Sequence, residues 1–433
     1  MRFRTCLLGG AALAILGACG AYALTLRSSM AAITPPSQAS FDKVTVEKGA
    51  ILAAIADCTV CHTAPGGEPF AGGLPLKTPF GTLYSTNITP EETTGVGSWS
   101  LEAFKRAMRE GVDRQGDYLY PAFPYTHYNH VADDDLAALY AFLMTRRPVK
   151  ATPPPNDLIP PLGFRPLLAG WNLLFLDEAP FAPAEDQSAE WNRGAYLVEG
   201  LGHCGLCHTP LNLAGAEKTS KTFAGGVAEG WTAPPLDASN PNAARWSVDR
   251  LTAYLRSGLD AEHGVAAGPM GPVTHGLSTV PEGEVRAIAV YITSKMETGE
   301  SAQQHGESLP AAKPLDNAEE AAATHQAGAA IFAGACAGCH GTGAPMSSDG
   351  RPSLALTTDL AADDPRNTIQ TILQGIPELA GQKRPLMPSF AGVFSDRDVA
   401  EVTAYLRVRF TDQPAWPNLH DAVVEARNEG EKP

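Results

Sequence analysis

Apolar and polar positions take up a helical period in three stretches of the chain that match one another. Short amphipathic segments surround Gly49-Ala50, Gly194-Ala195 and Gly328-Ala329, and each reads as a helix leading into a cysteine-bearing turn. A second helical signal follows in each case. It runs from Trp99-Ser100-Leu101 through Met108 to Gly111, from Trp246-Ser247-Val248 through Leu255 to Gly258, and from Asn367 through Leu373 to Gly375. The three glycines suit helix ends, where a left-handed residue is wanted. Closing helices are predicted over 133–143, 283–292 and 396–408, with Tyr140, Tyr291 and Tyr405 near their ends. The pattern is a threefold internal repeat of helices joined by long loops.

What the repeats carry is chemistry. Six of the eight cysteines form three pairs, each followed at once by a histidine: Cys58 and Cys61 with His62, Cys204 and Cys207 with His208, Cys336 and Cys339 with His340. This is C-x-x-C-H, the signature of covalent c-type haem attachment. Thiols at i and i+3 lie on one side of a helical turn and reach two vinyl groups of one porphyrin. The next residue is an imidazole that turns under the ring as an iron ligand. A thioredoxin-like pair would occur once, in a βαβ pattern. Structural zinc needs four ligands per site. Three disulfides would leave the histidines unexplained. The expected fold is mostly α: three tandem cytochrome c-like helical domains with long Pro/Gly-rich loops, each holding one haem c.

Length and composition agree. The 433 residues suggest about three domains at roughly 150 residues each. An apolar content of 44% rules out wholesale disorder, and 42 Gly with 36 Pro favour loop-rich domains. The net charge of −15, without a basic block, excludes nucleic acid as a partner. Arg2 and Arg4 precede an uncharged stretch ended by Arg27. It reads as a signal cleaved after Ala23, a lipoprotein signal around Cys19, or a retained membrane helix. All three place the remainder outside the cytoplasm. The expected divisions are 1–41 signal or anchor, 42–150 first domain, 151–186 Pro-rich linker, 187–300 second domain, 301–319 polar linker, 320–412 third domain and 413–433 a peripheral tail. An apolar stretch at 162–175 is expected to pack between domains, with a membrane or partner contact as the alternative.

Low-spin haem needs a sixth ligand, usually Met and sometimes His. Twelve residues beyond Gly258 stands Met270, and twelve beyond Gly375 stands Met387. Twelve beyond Gly111 stands Phe123, which cannot bind iron. His127, four residues on, is the preferred sixth ligand of the first haem. Met108, Met144, His130 and an open position remain alternatives. His203, His263 and His275 have no ligand-like register and are expected at a haem edge or on the surface. The run Asp133-Asp134-Asp135 reads as a charge cluster at a helix N-terminus.

Several strings go further. Thr78-Pro79-Phe80-Gly81-Thr82, Tyr84-Ser85-Thr86-Asn87-Ile88-Thr89-Pro90, Leu119-Tyr120-Pro121-Ala122, Trp191-Asn192-Arg193-Gly194-Ala195-Tyr196-Leu197-Val198 and Gly202-His203-Cys204 resemble the triheme cytochrome c subunits of bacterial membrane-bound dehydrogenases. The resemblance spans essentially the whole chain after the N-terminal segment. It implies an electron-transfer subunit at the periplasmic face of the cell membrane, anchored through that segment. Such subunits take electrons from a catalytic subunit of molybdopterin, PQQ or flavin type and deliver them to ubiquinone or a terminal oxidase. It also implies haem ligation by His62, His208, His340, Met270 and Met387. Phe123 departs from members paired with quinoprotein alcohol dehydrogenases, which commonly carry Met there, and this favours a molybdenum-type partner oxidising an aldehyde or N-heterocycle. The chain shows no dinucleotide fingerprint, zinc-protease motif or nucleophile elbow of its own. A peroxidase-like enzyme working at an open first haem and a free-standing periplasmic shuttle are the alternatives.

Overall fold

Three helix crossings organise the chain, and each is closed by a glycine. In the computed structural model, helix α1 (Lys43–Ile55) lies across α5 (Asp133–Met144), and a Cβ on Gly49 would sit 2.0 Å from the carbonyl oxygen of Ala138. Further along, α7 (Ala189–Glu199) crosses α11 (Glu282–Met296), where a Cβ on Gly194 would sit 2.0 Å from the Ala287 oxygen. Finally α13 (Gln326–Ile331) crosses α16 (Asp396–Phe410), with Gly328 held 2.2 Å by the same measure from the Glu401 oxygen. Only a residue without a side chain allows backbone to approach backbone this closely. The structure describes residues 22–23, 25–297, 314–344, 353–377 and 387–431. Cys6, Cys19 and most of the N-terminal apolar stretch, with most of the polar linker, lie outside the described residues. Among the described residues no helix is long and apolar enough to cross a membrane.

The chain divides into two compact units. Unit 1 holds the residues up to Pro183 together with 199–203 and 213–216, and unit 2 holds the rest. In unit 1 the turn α2 (Cys58–Cys61) follows α1, and α3 (Leu101–Glu110) begins at Ser100, whose side chain caps the Ala103 N–H. It stops at Gly111, which is left-handed at φ 62. The short α4 (Tyr125–Tyr128) comes before α5. Helix α5 is buried nearly throughout, with Leu136 and Leu139 at most 1% exposed, each stabilising the unit by roughly 2 kcal/mol. Tyr140 donates its hydroxyl to the Trp99 carbonyl at 2.8 Å, tying α5 to the start of α3. A three-stranded antiparallel sheet is built from β1 (Pro75–Thr78), β2 (Gly81–Tyr84) and β3 (Asp157–Leu158).

The strand β3 belongs to the Pro-rich segment 151–186, so that segment is woven into unit 1. Its helix α6 (Leu167–Phe175) is tied down at Asn172, which donates to the Glu110 carbonyl at 3.0 Å and accepts from the Tyr125 hydroxyl at 2.7 Å. The opposite face stays open: Leu173 is 86% exposed and Leu174 73%.

In unit 2, α8 (Gly205–His208) follows α7, and a hairpin pairs β4 (Gly226–Ala228) with β5 (Trp231–Ala233). Helix α9 (Val248–Ser257) is capped by Ser247 and ended by left-handed Gly258, as its sequence twin α3 is by Ser100 and Gly111. The hairpin of β6 (Leu259–Asp260) and β7 (Gly264–Val265) precedes α10 (Met270–Ser278) and α11. Helices α12 (Ala318–Thr324), α13, α14 (Ala337–His340), α15 (Arg366–Gln374) and α16 complete the third repeat. The closing helices run beyond their expected ends, to Met144, Met296 and Phe410. Gly375 differs from the other two terminal glycines, because its φ of 72 comes with an extended ψ of −172.

The tail is not peripheral. It forms α17 (Leu419–Glu431), which packs on α15 and α16 through buried Leu419, Val423 and Ala426. Those three residues share one helical face at i, i+4 and i+7. Their signal is diluted in sequence by the surrounding Asp, Glu and Arg. Arg427 pairs with Asp396 at 2.6 Å and Arg366 with Glu429 at 2.6 Å, fixing its C-terminal end to the starts of α16 and α15.

Gly194→Ala is expected to destabilise unit 2 by about 3 kcal/mol, since neither backbone can yield without opening the crossing, as urea unfolding will show. A second expectation concerns Arg409, which closes the third crossing against the Phe332 ring and grips Asp316 at 2.7 and 3.0 Å. Those bonds, and one from Thr342, hold the Asp316 carboxyl below the usual carboxylate range. The lowered pKa means stability that is present above the unfolded carboxylate value near ~4 and is lost as pH falls through the folded one. Asp316→Asn should therefore cost about 1 kcal/mol at neutral pH and progressively less as pH falls below about 4, by urea unfolding across that range.

Candidate haem-attachment sites

Each Cys-x-x-Cys-His turn hangs directly from the C-terminal end of a glycine-crossed helix. Asp57 makes the first bend by taking the left-handed conformation at φ 50, a region Asp tolerates better than most residues. The helical turn Cys58–Cys61 follows, with His62 at its end. In the third repeat the bend is a π-helical turn over Phe332–Cys336, continued by Ala337–His340. Burial pushes the Cys58 thiol up to about 12 and the Cys336 thiol up to about 11. Both are therefore neutral thiols in apolar surroundings.

The histidines are oriented by backbone oxygens. His62 Nδ1 lies 2.6 Å from the Thr86 carbonyl, and His208 Nδ1 lies 2.7 Å from the Pro234 carbonyl. A carbonyl can only accept, so Nδ1 carries the proton and Nε2 is left with its lone pair outward. A metal-binding imidazole is held in this way, with its tautomer and ring orientation fixed by an acceptor on the other nitrogen. Burial lowers the pKa of both rings and so keeps them in the neutral form that binds metal. Thr86 and Pro234 act through main-chain atoms, which carry no side-chain signature. Thr86 lies within one of the strings that suggested the family, and this was the single available hint.

Met387 shares a cavity with the third turn. One cavity is lined by Cys336, Cys339, His340 and Met387, with an otherwise largely apolar wall that includes Ile372 and Phe390. Met387 is held by a two-way backbone bridge to Ile376, at 2.9 and 3.0 Å. Gly375 makes room for it: a Cβ there would lie 2.5 Å from the Met387 oxygen. Met270 opens α10 and is half-buried.

His127 sits on α4 with Nδ1 2.8 Å from the Glu199 carbonyl, repeating the pattern of His62 and His208. The slot expected for a methionine is filled by aromatic packing, with the Phe123 and Tyr128 ring centroids 5.4 Å apart. Tyr128 is buried beside Cys58 and Cys61, which raise its hydroxyl pKa together with burial, the larger cause. His203 stands among these side chains, its ring 5.8 Å from Tyr128 and 6.5 Å from His127. His130 Nδ1 is bonded to the Ala179 carbonyl at 2.7 Å, and His275 is exposed on α10. Met108 and Met144 are buried in helices α3 and α5. His263 is buried and lines the third cavity, one of the two placements expected for it. Of the three acidic residues at the start of α5, Asp133 pairs with Lys105 and Arg109, and Asp135 with Lys48.

Among the described residues, no three His, Cys, Asp or Glu side chains converge to hold a bare metal ion. The donors present are a thiol pair, one imidazole and, in the third cavity, a thioether in the same largely apolar space. That set fits an iron whose remaining ligands come from a porphyrin.

Comparison with known proteins supports this. Residues 323–406 match the family model described as cytochrome C oxidase, cbb3-type, subunit III. The chain is 47% identical over 422 residues to a subunit of nicotinate dehydrogenase from Pseudomonas putida, covering 96% of this chain but 34% of that one. It therefore spans about a third of that relative's length. It is 37% identical to the gluconate 2-dehydrogenase cytochrome c subunit of Pantoea cypripedii, covering 88% of each. It is 34% identical to the fructose dehydrogenase cytochrome subunit of Gluconobacter japonicus, covering 92% of this chain and 86% of that one. The protein is thus a c-type cytochrome. Within that class it belongs to the family of cytochrome c subunits of membrane-bound dehydrogenases.

Proposed function

We propose that this chain carries three covalent c-type haems and passes electrons from the catalytic subunit of a membrane-bound dehydrogenase to ubiquinone or a terminal oxidase at the periplasmic face. The observation that carries this reading is the recurrence of one construction, a Cys-x-x-Cys-His turn hung from a glycine-crossed helix pair, at all three motifs. Haem c, when bound, supplies a one-electron iron couple. The chain's own residues do the rest. Cys58 and Cys61, Cys204 and Cys207, and Cys336 and Cys339 form thioethers, each S–H adding across a vinyl group. His62, His208 and His340 bind iron through Nε2. Met387, Met270 and His127 would each supply a further protein ligand to the iron. The three haem domains lie within 42–150, 187–300 and 320–412, and the N-terminal segment holds the chain to the membrane.

For the first haem, His127 is favoured over Phe123 by its Nδ1 contact with a carbonyl, which presents Nε2 as a ligand. A haem with two imidazoles has a lower potential than one with imidazole and thioether, which suits entry of electrons. For the partner, we place the catalytic subunit in the molybdopterin class, acting on an N-heterocycle or aldehyde. The departure at Phe123 and the 47% identity to a chain named for nicotinate dehydrogenation both support that choice.

Gentle detergent purification of the native protein should bring down a large dehydrogenase subunit containing molybdenum. Intact-mass analysis should find three haems, and replacing either Cys pair 204/207 or 336/339 with serine should remove one. Recovery of the cytochrome alone, or with a flavin or PQQ subunit, would count against the partner assignment. His127→Ala is expected to open one haem to cyanide, seen as a Soret shift in about a third of the haem absorbance, while the unaltered protein stays unreactive.

A further inference from the structure

The wall of the third cavity comes partly from the preceding repeat. His263 and Gly264, on the hairpin of β6 and β7, line the same space as Cys336, His340 and Met387. The hairpin is well anchored. Arg250 on α9 binds Asp260 at 2.8 Å and Glu262 at 2.9 Å, and the Thr358 hydroxyl donates to the His263 carbonyl at 3.4 Å. The His263 ring lies flat on the Trp246 indole, with centroids 3.6 Å apart and planes 12° from parallel. It is 7% exposed. Its Nε2 sits 3.5 Å from the Arg245 carbonyl, too far to hold the ring proton against a charged acceptor, so a carboxylate placed at Nδ1, which is buried with no hydrogen-bond partner among the described residues, draws the proton to that nitrogen.

A buried imidazole nitrogen left unpaired on a cavity wall is costly unless an occupant satisfies it. Asp359, also on that wall, accepts from Asn367 at 3.3 Å. A porphyrin attached at Cys336 and Cys339 brings two propionate carboxylates into a largely apolar space. Each needs donors.

We propose that His263 is a positioning residue for the third haem, donating from Nδ1 to a propionate and so helping to set that haem's potential from the neighbouring repeat. The proposal rests on reading the turn at Cys336–His340 as a haem site. A donor on a propionate offsets its negative charge, which otherwise favours ferric iron. Removing the donor lowers the potential.

The test uses the full-length holoprotein and an optical redox titration. The wave that disappears when Cys336 and Cys339 are both replaced by serine identifies the third haem. His263→Phe keeps a flat ring on Trp246 but has no N–H, whereas His263→Gln keeps a donor. The Phe variant should raise the oxidised-to-reduced ratio of the third haem about tenfold at its original midpoint, with the other two haems unmoved. The Gln variant should stay close to the unaltered protein. Equal shifts in both variants would mean that His263 only packs, and no shift in either would mean that it does not meet the haem. Both outcomes overturn the proposal. If the double serine variant kept three haems by mass, the reading of the turn itself would fail instead.

Discussion

The contact on which the rest of the structure depends is between two backbones. At Gly49, Gly194 and Gly328 the leading helix comes so near the closing helix that a single added carbon would meet a carbonyl oxygen at 2.0 to 2.2 Å. The cysteine turns begin nine, ten and eight residues further on, so they inherit their position from that crossing. The helix carries the constraint part of that distance, and a short bend carries it the rest of the way. The thiols and the imidazole thereby take their place from the crossing before any side chain in the pocket is considered.

Imidazole orientation is the second layer of control. His62 and His208 each spend one nitrogen on a backbone oxygen and sit where burial disfavours the charged ring. Both effects push the same way, toward a neutral ring with one fixed lone pair. His127 shares the first of these with a carbonyl that lies directly after α7's last buried residue, Val198. Haem proteins in general need this preparation, because the protein tunes iron through ligand identity, hydrogen bonding and burial.

Much of this was readable beforehand. Ser100 and Ser247 marked helix starts, Gly111 and Gly258 marked ends, and the cysteine spacing named the chemistry. Each of these is a local signal, decided within a few residues. The missed features are of two other kinds. The carbonyls of Thr86 and Pro234 contribute through main-chain atoms, which any residue would supply. The buried face of α17 owes its role to partners far away in sequence, helices α15 and α16. Phe123 was read correctly as unable to bind iron, but its packing on Tyr128, beside the Cys58 thiol, was not visible from register alone. Strand β3 escaped for the same reason, since two residues pairing with β2 leave no periodicity.

The hairpin that carries His263 has a consequence for how this protein can be taken apart. Repeats in tandem are often regarded as beads that could be lifted out, shuffled or grafted singly. The third repeat is not such a bead. Its cavity lacks a wall unless the second repeat is present, and Thr232 and Gly230 of the second repeat also exchange hydrogen bonds with Asn367 and Arg366 of the third. Whatever duplications produced the chain, these two repeats have since become a single inheritance, and a change in one is felt in the pocket of the other.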